Sequence, residues 1–400
     1  MLNCRVTGET MIRKIFFWMH LSAGVAAGVF IFIMSASGVL LAFERQITAF
    51  VERDVRSVVV PNEAQPRSMN DLLDAVRRAG VGEPTAIAVR NEPQASAQFS
   101  IGRGRTVYVD PYTGAILGPS SARAREFFST VERFHRALGA ALGPKNAGRR
   151  LVGIANLVFG VLILLGTFLW IPRQWSAKAL RAGIAFRSGL RAKAREWNWH
   201  NVVGIWCALP LLVIVLSGVV MSFDWANALL FRLSGSPLPN AAGRDEGGRR
   251  AHGKKSETGL APNYNQLFAT AKGINPDWRT ITINVVRDAN APLTANIDAG
   301  NGGQPQKRAQ FVLNRDTGAI VRSNTFESGS LGQRLRAFVR FGHTGEYYGL
   351  VGQAVAAIAS LGACLLVYTG LALSMRRLSA ALKRRKIVTT REIFTEQPVR

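Results

Sequence analysis

Four apolar runs constrain this 400-residue chain more than any other feature: Ile15–Phe43, Leu151–Ile171, Val202–Phe223 and Leu350–Leu373. A helix rising 1.5 Å per residue needs about 20 residues to cross a hydrocarbon layer about 30 Å thick, and each run is long enough. The first is too long for a cleaved leader, and "SASGVLLAFERQ" (35–46) continues its helical pattern where a cleavage site would interrupt it. The sequence predicts an α-helical membrane protein with four transmembrane helices.

Charge sets the expected orientation. The 172–197 connection carries seven Lys/Arg against one Glu, and the tail from 375 carries "RR" and "KRRK". Short basic segments stay on the cytoplasmic side, so both termini are expected inside and the two long segments outside. The net charge of +25 and pI near 11.2 then need no nucleic acid to explain them. Cys4, Cys207 and Cys364 form no CxxC or CxxCH pattern, which gives no sign of a disulfide framework, a zinc site or covalent haem attachment. The lead "MLNCRVTGET" reads as unstructured, with Met11 as an alternative start.

The chain also reads as an internal duplication. At an offset of 180 residues His20 falls on His200, Gly24 on Gly204, "SGV" 37–39 on "SGV" 217–219, and Phe43 on Phe223. Further on, "VYVDPYTGAILG" (107–118) matches "FVLNRDTGAIVR" (311–322), and "RFHRALG" (133–139) corresponds to "RFGHTGEYYG" (340–349), setting His135 against His343. Matches holding one order along the chain are a repeat signature.

Each long segment offers a helical pattern and then alternating strands: "SMNDLLDAVRRAG" (68–80) before "PTAIAVRN", "SAQFSIGRG" and "RTVYVDPYTGAILG"; "NYNQLFATAKGI" before "RTITINVVRD", "PLTANIDAG" and "KRAQFVLNRDTGAIVR". Ser68 is a candidate N-cap, and the Asp110–Gly114 and Asp316–Gly318 stretches read as turns. Two small α+β domains are therefore expected. The full layout is a cytoplasmic 1–14, a helix 15–43, a domain 44–130, a His-bearing segment 131–150, a helix 151–171 and a basic loop 172–197. A helix 198–223 follows, then a domain 224–340 with a mobile loop 236–259, a helix 341–374 with a His-bearing start, and a basic tail 375–400.

Four of the five histidines stand where a span begins: His20 and His200 toward the cytoplasmic side, His135 and His343 toward the exterior. Neutral imidazole is a common metal ligand and a standard axial ligand of haem iron, and bundles build such sites by projecting ligands inward. The repeat would bring His20 to His200 and His135 to His343. On the first helix Gly24, Ala27, Ile31 and Gly38 project within about 40° of His20, and Gly204, Cys207, Leu211 and Gly218 take the same places on its counterpart. The bland reading is that small residues on one face give close helix packing and that an interfacial histidine merely snorkels. His252, in the loop, reads as solvated. Ser37 and Ser217 are expected to bond their own helix backbone. Arg13, Arg133, Arg136, Arg149, Arg340 and Arg376 border the sites and are candidates for pairing with haem propionates.

"WMHLSAGVAAGVFIFIMSASGVLLAF", "DPYTGAILG", "FHRALG", "GRRLVGIANLVFGVLILLGTFLWIPR" and "HTGEYYG" together resemble the PepSY-associated transmembrane helix family, the iron-regulated membrane proteins or siderophore-iron reductases. The resemblance covers about Met11 to Arg385. It implies a multi-pass protein of the bacterial inner membrane with two PepSY-like periplasmic domains and one or two bis-histidine haem b groups. His20, His135, His200 and His343 would be the cofactor-binding residues and axial ligands of the haem iron. It further implies reduction of a ferric siderophore or similar iron chelate, by electrons from a flavoprotein or quinol. No GxGxxG follows a strand, so the donor is expected to be a separate partner. The competing expectation is a non-enzymatic scaffold or regulator whose PepSY-like domains bind envelope partners or proteases.

Overall fold

All four apolar runs lie in helices, and what connects them fixes where the histidines meet. The structure is a computed structural model that describes residues 2–102, 104–139, 145–238, 262–286 and 291–395. Helix α1 (Leu2–Ala42) takes in the lead read as unstructured, and its apolar stretch Met11–Ala42 is long enough to span a membrane. Short helices α2 (Glu44–Val51) and α3 (Arg53–Arg56) lead to α4 (Met69–Arg78), whose expected cap Ser68 accepts the amide of Asp71. Strands β1 (Pro84–Arg90), β2 (Ala97–Ile101), β3 (Arg105–Val109) and β4 (Ile116–Pro119) follow. Helix α5 (Ala122–Ala137) returns to the bundle, and α6 (Lys145–Trp170) crosses it.

At the opposite end α7 (Ala177–Ile184) joins α6 to the third span, α8 (Ala192–Ser222). Buried Asn198 holds this basic connection in place: its side chain accepts the Arg187 amide and donates to the Ala182 and Ala185 carbonyls. The chain then forms α9 (Asp224–Leu233), α10 (Tyr264–Ile274), β5 (Thr280–Asn284), β6 (Leu293–Asp298), β7 (Arg308–Leu313) and β8 (Ile320–Thr325). It closes with α11 (Leu331–His343) and the fourth span helix, α12 (Gly349–Thr395). From residue 239 onward the loop expected at 236–259, with His252, lies outside the described residues.

The spans form a four-helix bundle in which α1 and α8 each pack against both α6 and α12, so that α1 faces α8 across the centre. Ala27, Ile31, Cys207, Leu211, Ala359 and Ala363 are buried, whereas Val25, Val29, Phe32, Leu209 and Leu216 are exposed around the bundle. A belt of exposed apolar residues on spans of this length belongs to a multi-pass membrane protein in a lipid bilayer.

The strands depart from two separate sheets. They make one antiparallel eight-stranded sheet in the order β4-β3-β2-β1-β5-β6-β7-β8, joined where β1 pairs with β5 (Ala86 with Asn284 through Arg90 with Thr280). Each of these strands would otherwise end its own four-stranded sheet as an open edge, and the pairing satisfies both rows of main-chain groups. Alternation assigns the faces. Ile87, Phe99, Ile281, Ala295, Ile297 and Phe311 are buried in the core that α4 and α10 cover, and the intervening polar residues face the other way. The two TGAI turns are built alike, by Asp110 and by Asn314 rather than Asp316: each Oδ1 accepts two amides, and Gly114 (φ +77°) and Gly318 (φ +69°) take the left-handed position. The sheet reaches the bundle through the β6–β7 connection. A Cβ on Gly303 would stand 2.6 Å from the Glu346 Cβ, so only glycine lets this loop settle on the Arg45–Glu346 ion pair (2.9 Å).

Candidate functional site

The four span-associated histidines meet as two opposed pairs. His20 on α1 faces His200 on α8 with ring centroids 6.2 Å apart and planes 87° apart. His135 and His343 face each other at 6.1 Å and 66°. The second pair comes not from the spans but from the last turns of α5 and α11, which reach the bundle from the sheet side. The α5 helix stops at Leu138, which takes φ +53°, ahead of the Gly-Pro stretch. His343 ends a helix of its own, one 3₁₀ turn before the fourth span helix begins at Gly349. Ser37, which His135 touches, lies 17 residues beyond His20 on one helix. The pairs therefore stand about 25 Å apart along the bundle.

The hydrogen bonds fix the ring tautomers. His135 Nδ1 lies 2.9 Å from the Met34 carbonyl and 3.0 Å from Ser37 Oγ. His343 Nδ1 lies 2.9 Å from the Ile214 carbonyl and 3.0 Å from Ser217 Oγ. A carbonyl only accepts, so each Nδ1 carries the proton and donates, and each Nε2 keeps its lone pair. The serine protons go to their own helix, to the Ile33 carbonyl (2.6 Å) and the Val213 carbonyl (2.7 Å), which turns the oxygens toward the rings as acceptors. Those self-bonds were legible in the sequence; the contact with histidine was not.

At the other pair His200 Nδ1 donates to Thr369 Oγ1 (2.9 Å), whose own proton goes to the Leu365 carbonyl (2.8 Å). His20 is different. Its Nδ1 is buried without a partner at hydrogen-bonding geometry, facing the Leu162 carbonyl. Glycines crowd both rings: a Cβ on Gly166 would meet His20 Cε1 at 3.2 Å, and one on Gly370 would meet His200 Cε1 at 3.4 Å. Of the arginines singled out, Arg376 makes two 2.7 Å bonds to buried Glu196, Arg136 pairs with Glu132 (2.7 Å), and Arg13 donates to the Ile171 carbonyl. These cations are already engaged by protein groups.

The spacing has a chemical meaning. A bond of about 2 Å from metal to imidazole nitrogen, plus about 1.1 Å from nitrogen to ring centre, taken on both sides, separates the centroids of two trans ligands by about 6.2 Å. Both pairs stand at that distance, with a hydrogen-bonded Nδ1 on three of the four rings, the usual support of a metal-bound histidine. Among the described residues no group of three or more His, Cys, Asp or Glu side chains gathers at either place. Each pair thus sets two imidazoles opposite each other at a spacing that one metal ion between them would fit.

A family model described as "PepSY-associated TM region" matches residues 17–377, a stretch that holds all four paired histidines. Comparison with curated proteins finds no match.

Proposed function

The chain belongs to the family of the PepSY-associated TM region, and on that premise we propose that it is a haem-containing electron-transfer protein of a bacterial inner membrane. One haem b would lie between His20 and His200 and a second between His135 and His343. The observation that carries this reading is the centroid spacing of 6.2 and 6.1 Å between opposed rings. Bound haem supplies one-electron chemistry between Fe(III) and Fe(II). The chain's own part is to hold three of the four rings by their Nδ1, to keep both pairs within apolar helix surfaces, and to leave room beside His20 and His200 with Gly166 and Gly370.

The basic charge of the α7 connection and tail supports a cytoplasmic position for both termini, with the sheet in the periplasm. The recurrence of the serine–histidine contacts and of the glycines beside His20 and His200 supports an internal duplication, in which each half adds one four-stranded PepSY-like domain to the common sheet. Electrons from a flavoprotein or quinol would enter at the His20/His200 end and leave at the His135/His343 end. The acceptor is a ferric siderophore or similar chelate. Gaining one electron turns its iron to Fe(II), which hard oxygen donors hold less firmly, and the metal is released.

The test is an absorption spectrum of the detergent-purified protein, oxidised and then dithionite-reduced. A sharp Soret band with resolved α and β bands on reduction is expected, and His200→Ala should remove one haem of two. A colourless preparation from haem-replete cells would sink the reading.

A further inference from the structure

Between the polar face of the sheet and the adjoining end of the bundle lies a cavity of about 960 Å³. That is near the upper end of the range for small-molecule sites, about 300–1,000 Å³. Its roof has a regular chemistry. Strand register aligns Thr282 with Asn296, Asn296 with Gln310, and Gln310 with Asn324, a straight row across β5 to β8. Across the β1–β5 seam Ala88 continues the row to Gln98 on β2. All of these except Ala88 line the cavity, and among the described residues the amides of Gln98, Asn296, Gln310 and Asn324 are engaged by no other protein group. Each amide offers a carbonyl acceptor and two N–H donors without a charge.

The charged residues around the cavity largely cancel. Arg45 pairs with Glu346 (2.9 Å), Arg90 with Glu92 (2.8 Å), Arg308 with Asp298 (2.9 Å), and Arg56 with buried Glu52 (2.7 Å). Arg279 and Glu44 remain, one of each sign. The excess of positive charge over the whole chain is therefore not expressed here. Beyond Arg279 a polyanion would have to break ion pairs to find cations, whereas a neutral polar ligand meets free amides at once.

The floor lies close to the second histidine pair. Gln46 donates to Gln353 (2.8 Å), and Gln353 donates to the Ala42 carbonyl (2.7 Å). Ala42 is five residues beyond Ser37 on α1, about 7.5 Å of rise above the hydroxyl that His135 touches. Glu346, also in the floor, accepts from Thr344, the neighbour of His343.

We propose that this cavity binds an uncharged chelate rich in carbonyl and amide groups, held by the amide row of β2 and β6–β8 above the His135/His343 pair. That the ligand is a chelate rests on the electron-transfer reading; its neutrality and its seat rest on the cavity alone.

The test is calorimetric titration of the detergent-solubilised full chain with two gallium(III) complexes, a neutral trihydroxamate and the polyanionic citrate chelate. Gallium(III) is not reduced under these conditions, so binding is read apart from electron transfer. The neutral complex should bind saturably, at least tenfold tighter than the citrate, with little change between low and high salt. Asn296→Leu with Gln310→Leu should weaken it at least tenfold, and so should the single Asn324→Leu on the exposed edge strand, whose fold is checked by circular dichroism. Tighter binding of the citrate complex, saturable binding of neither, or variants that bind like the parent would each overturn the proposal. A protein that binds the neutral complex but shows no haem spectrum would instead remove the electron-transfer reading and leave the cavity assignment standing.

Discussion

His135 and His343 present the same nitrogen to the same pair of acceptors: each Nδ1 stands 3.0 Å from a serine hydroxyl, on Ser37 and Ser217, and 2.9 Å from the carbonyl three residues earlier, on Met34 and Ile214. Each ring is thus held at two points, and the carbonyl alone is enough to keep the proton on Nδ1. Ser37→Ala and Ser217→Ala should therefore leave the tautomer intact while loosening the ring. On the proposed haem reading, which this and the following haem predictions share, retention at that pair is expected to fall by up to about tenfold, the lower end of what loss of a supporting contact costs a metal site. The haem-to-protein ratio after dialysis measures this, and His343→Ala, which removes the donor itself, should lose that haem outright.

Glycine at 166 leaves the His20 ring room that a Cβ would crowd. With 3.2 Å between a Cβ on Gly166 and His20 Cε1, even Ala presses on the ring, and Val adds two methyl groups to the conflict. Gly166→Val is expected to cost about 1–3 kcal/mol through overpacking. It should remove the His20/His200 haem while the His135/His343 haem keeps its spectrum. Equal loss of both haems would contradict the independence of the two sites.

Glu52 joins the sheet to the helices that reach the bundle. Its buried carboxylate accepts from Arg56 (2.7 and 3.0 Å), Tyr108 (2.8 Å) and the Ser121 amide (2.8 Å). Burial alone would raise its pKa, but the hydrogen bonds from Arg56, Tyr108 and Ser121 outweigh it and hold the carboxyl below the usual range. A depressed folded pKa adds stability that is fully present above the unfolded value of about 4.3 and is lost as pH falls through the lower, folded value. The thermal midpoint should accordingly drop below about pH 4 in the parent. Glu52→Gln should cost about 2–3 kcal/mol of stability at neutral pH, lowering the midpoint there, and flatten the acid limb.

Much of this was legible in the sequence, for reasons that also mark the limits. Apolar runs of membrane length and strict alternation in "RTITIN" report on faces, and the spans and strands follow from them. The ring pairings follow from sequence offsets, because His20 and His200 share neighbours at one register. Edges are another matter: nothing in "PTAIAVR" says that β1 pairs with β5, because a strand's sequence encodes its faces better than its partners. Arg376 looked free because Glu196, its partner, is 180 residues away. Thr369 bonds its own helix as any mid-helix threonine can, and only the fold brings it to His200. The amide row exists only in the cross-strand register.

Thr369 leads to the sharpest asymmetry in the molecule. It precedes Gly370 beside His200; at the matching place before Gly166, beside His20, the chain carries Leu165. His200 thus donates its Nδ1 proton to a hydroxyl while His20 has no partner in good geometry. Donation from Nδ1 makes an imidazole more electron-rich, and a more basic axial ligand favours Fe(III), which lowers the reduction potential. Thr369→Val removes that acceptor and should raise the midpoint potential of the haem at this end. One hydrogen bond of about 1 kcal/mol corresponds to about 40 mV for a one-electron couple. Leu165→Thr gives His20 a hydroxyl acceptor beside the Leu162 carbonyl and should move the same potential down by a similar amount. Potentiometric titration of the α band, with the haem at His135/His343 as internal reference, separates the two. If both variants shift the potential in one direction, or neither shifts it, the hydroxyl does not tune this site and its contact with His200 serves packing alone.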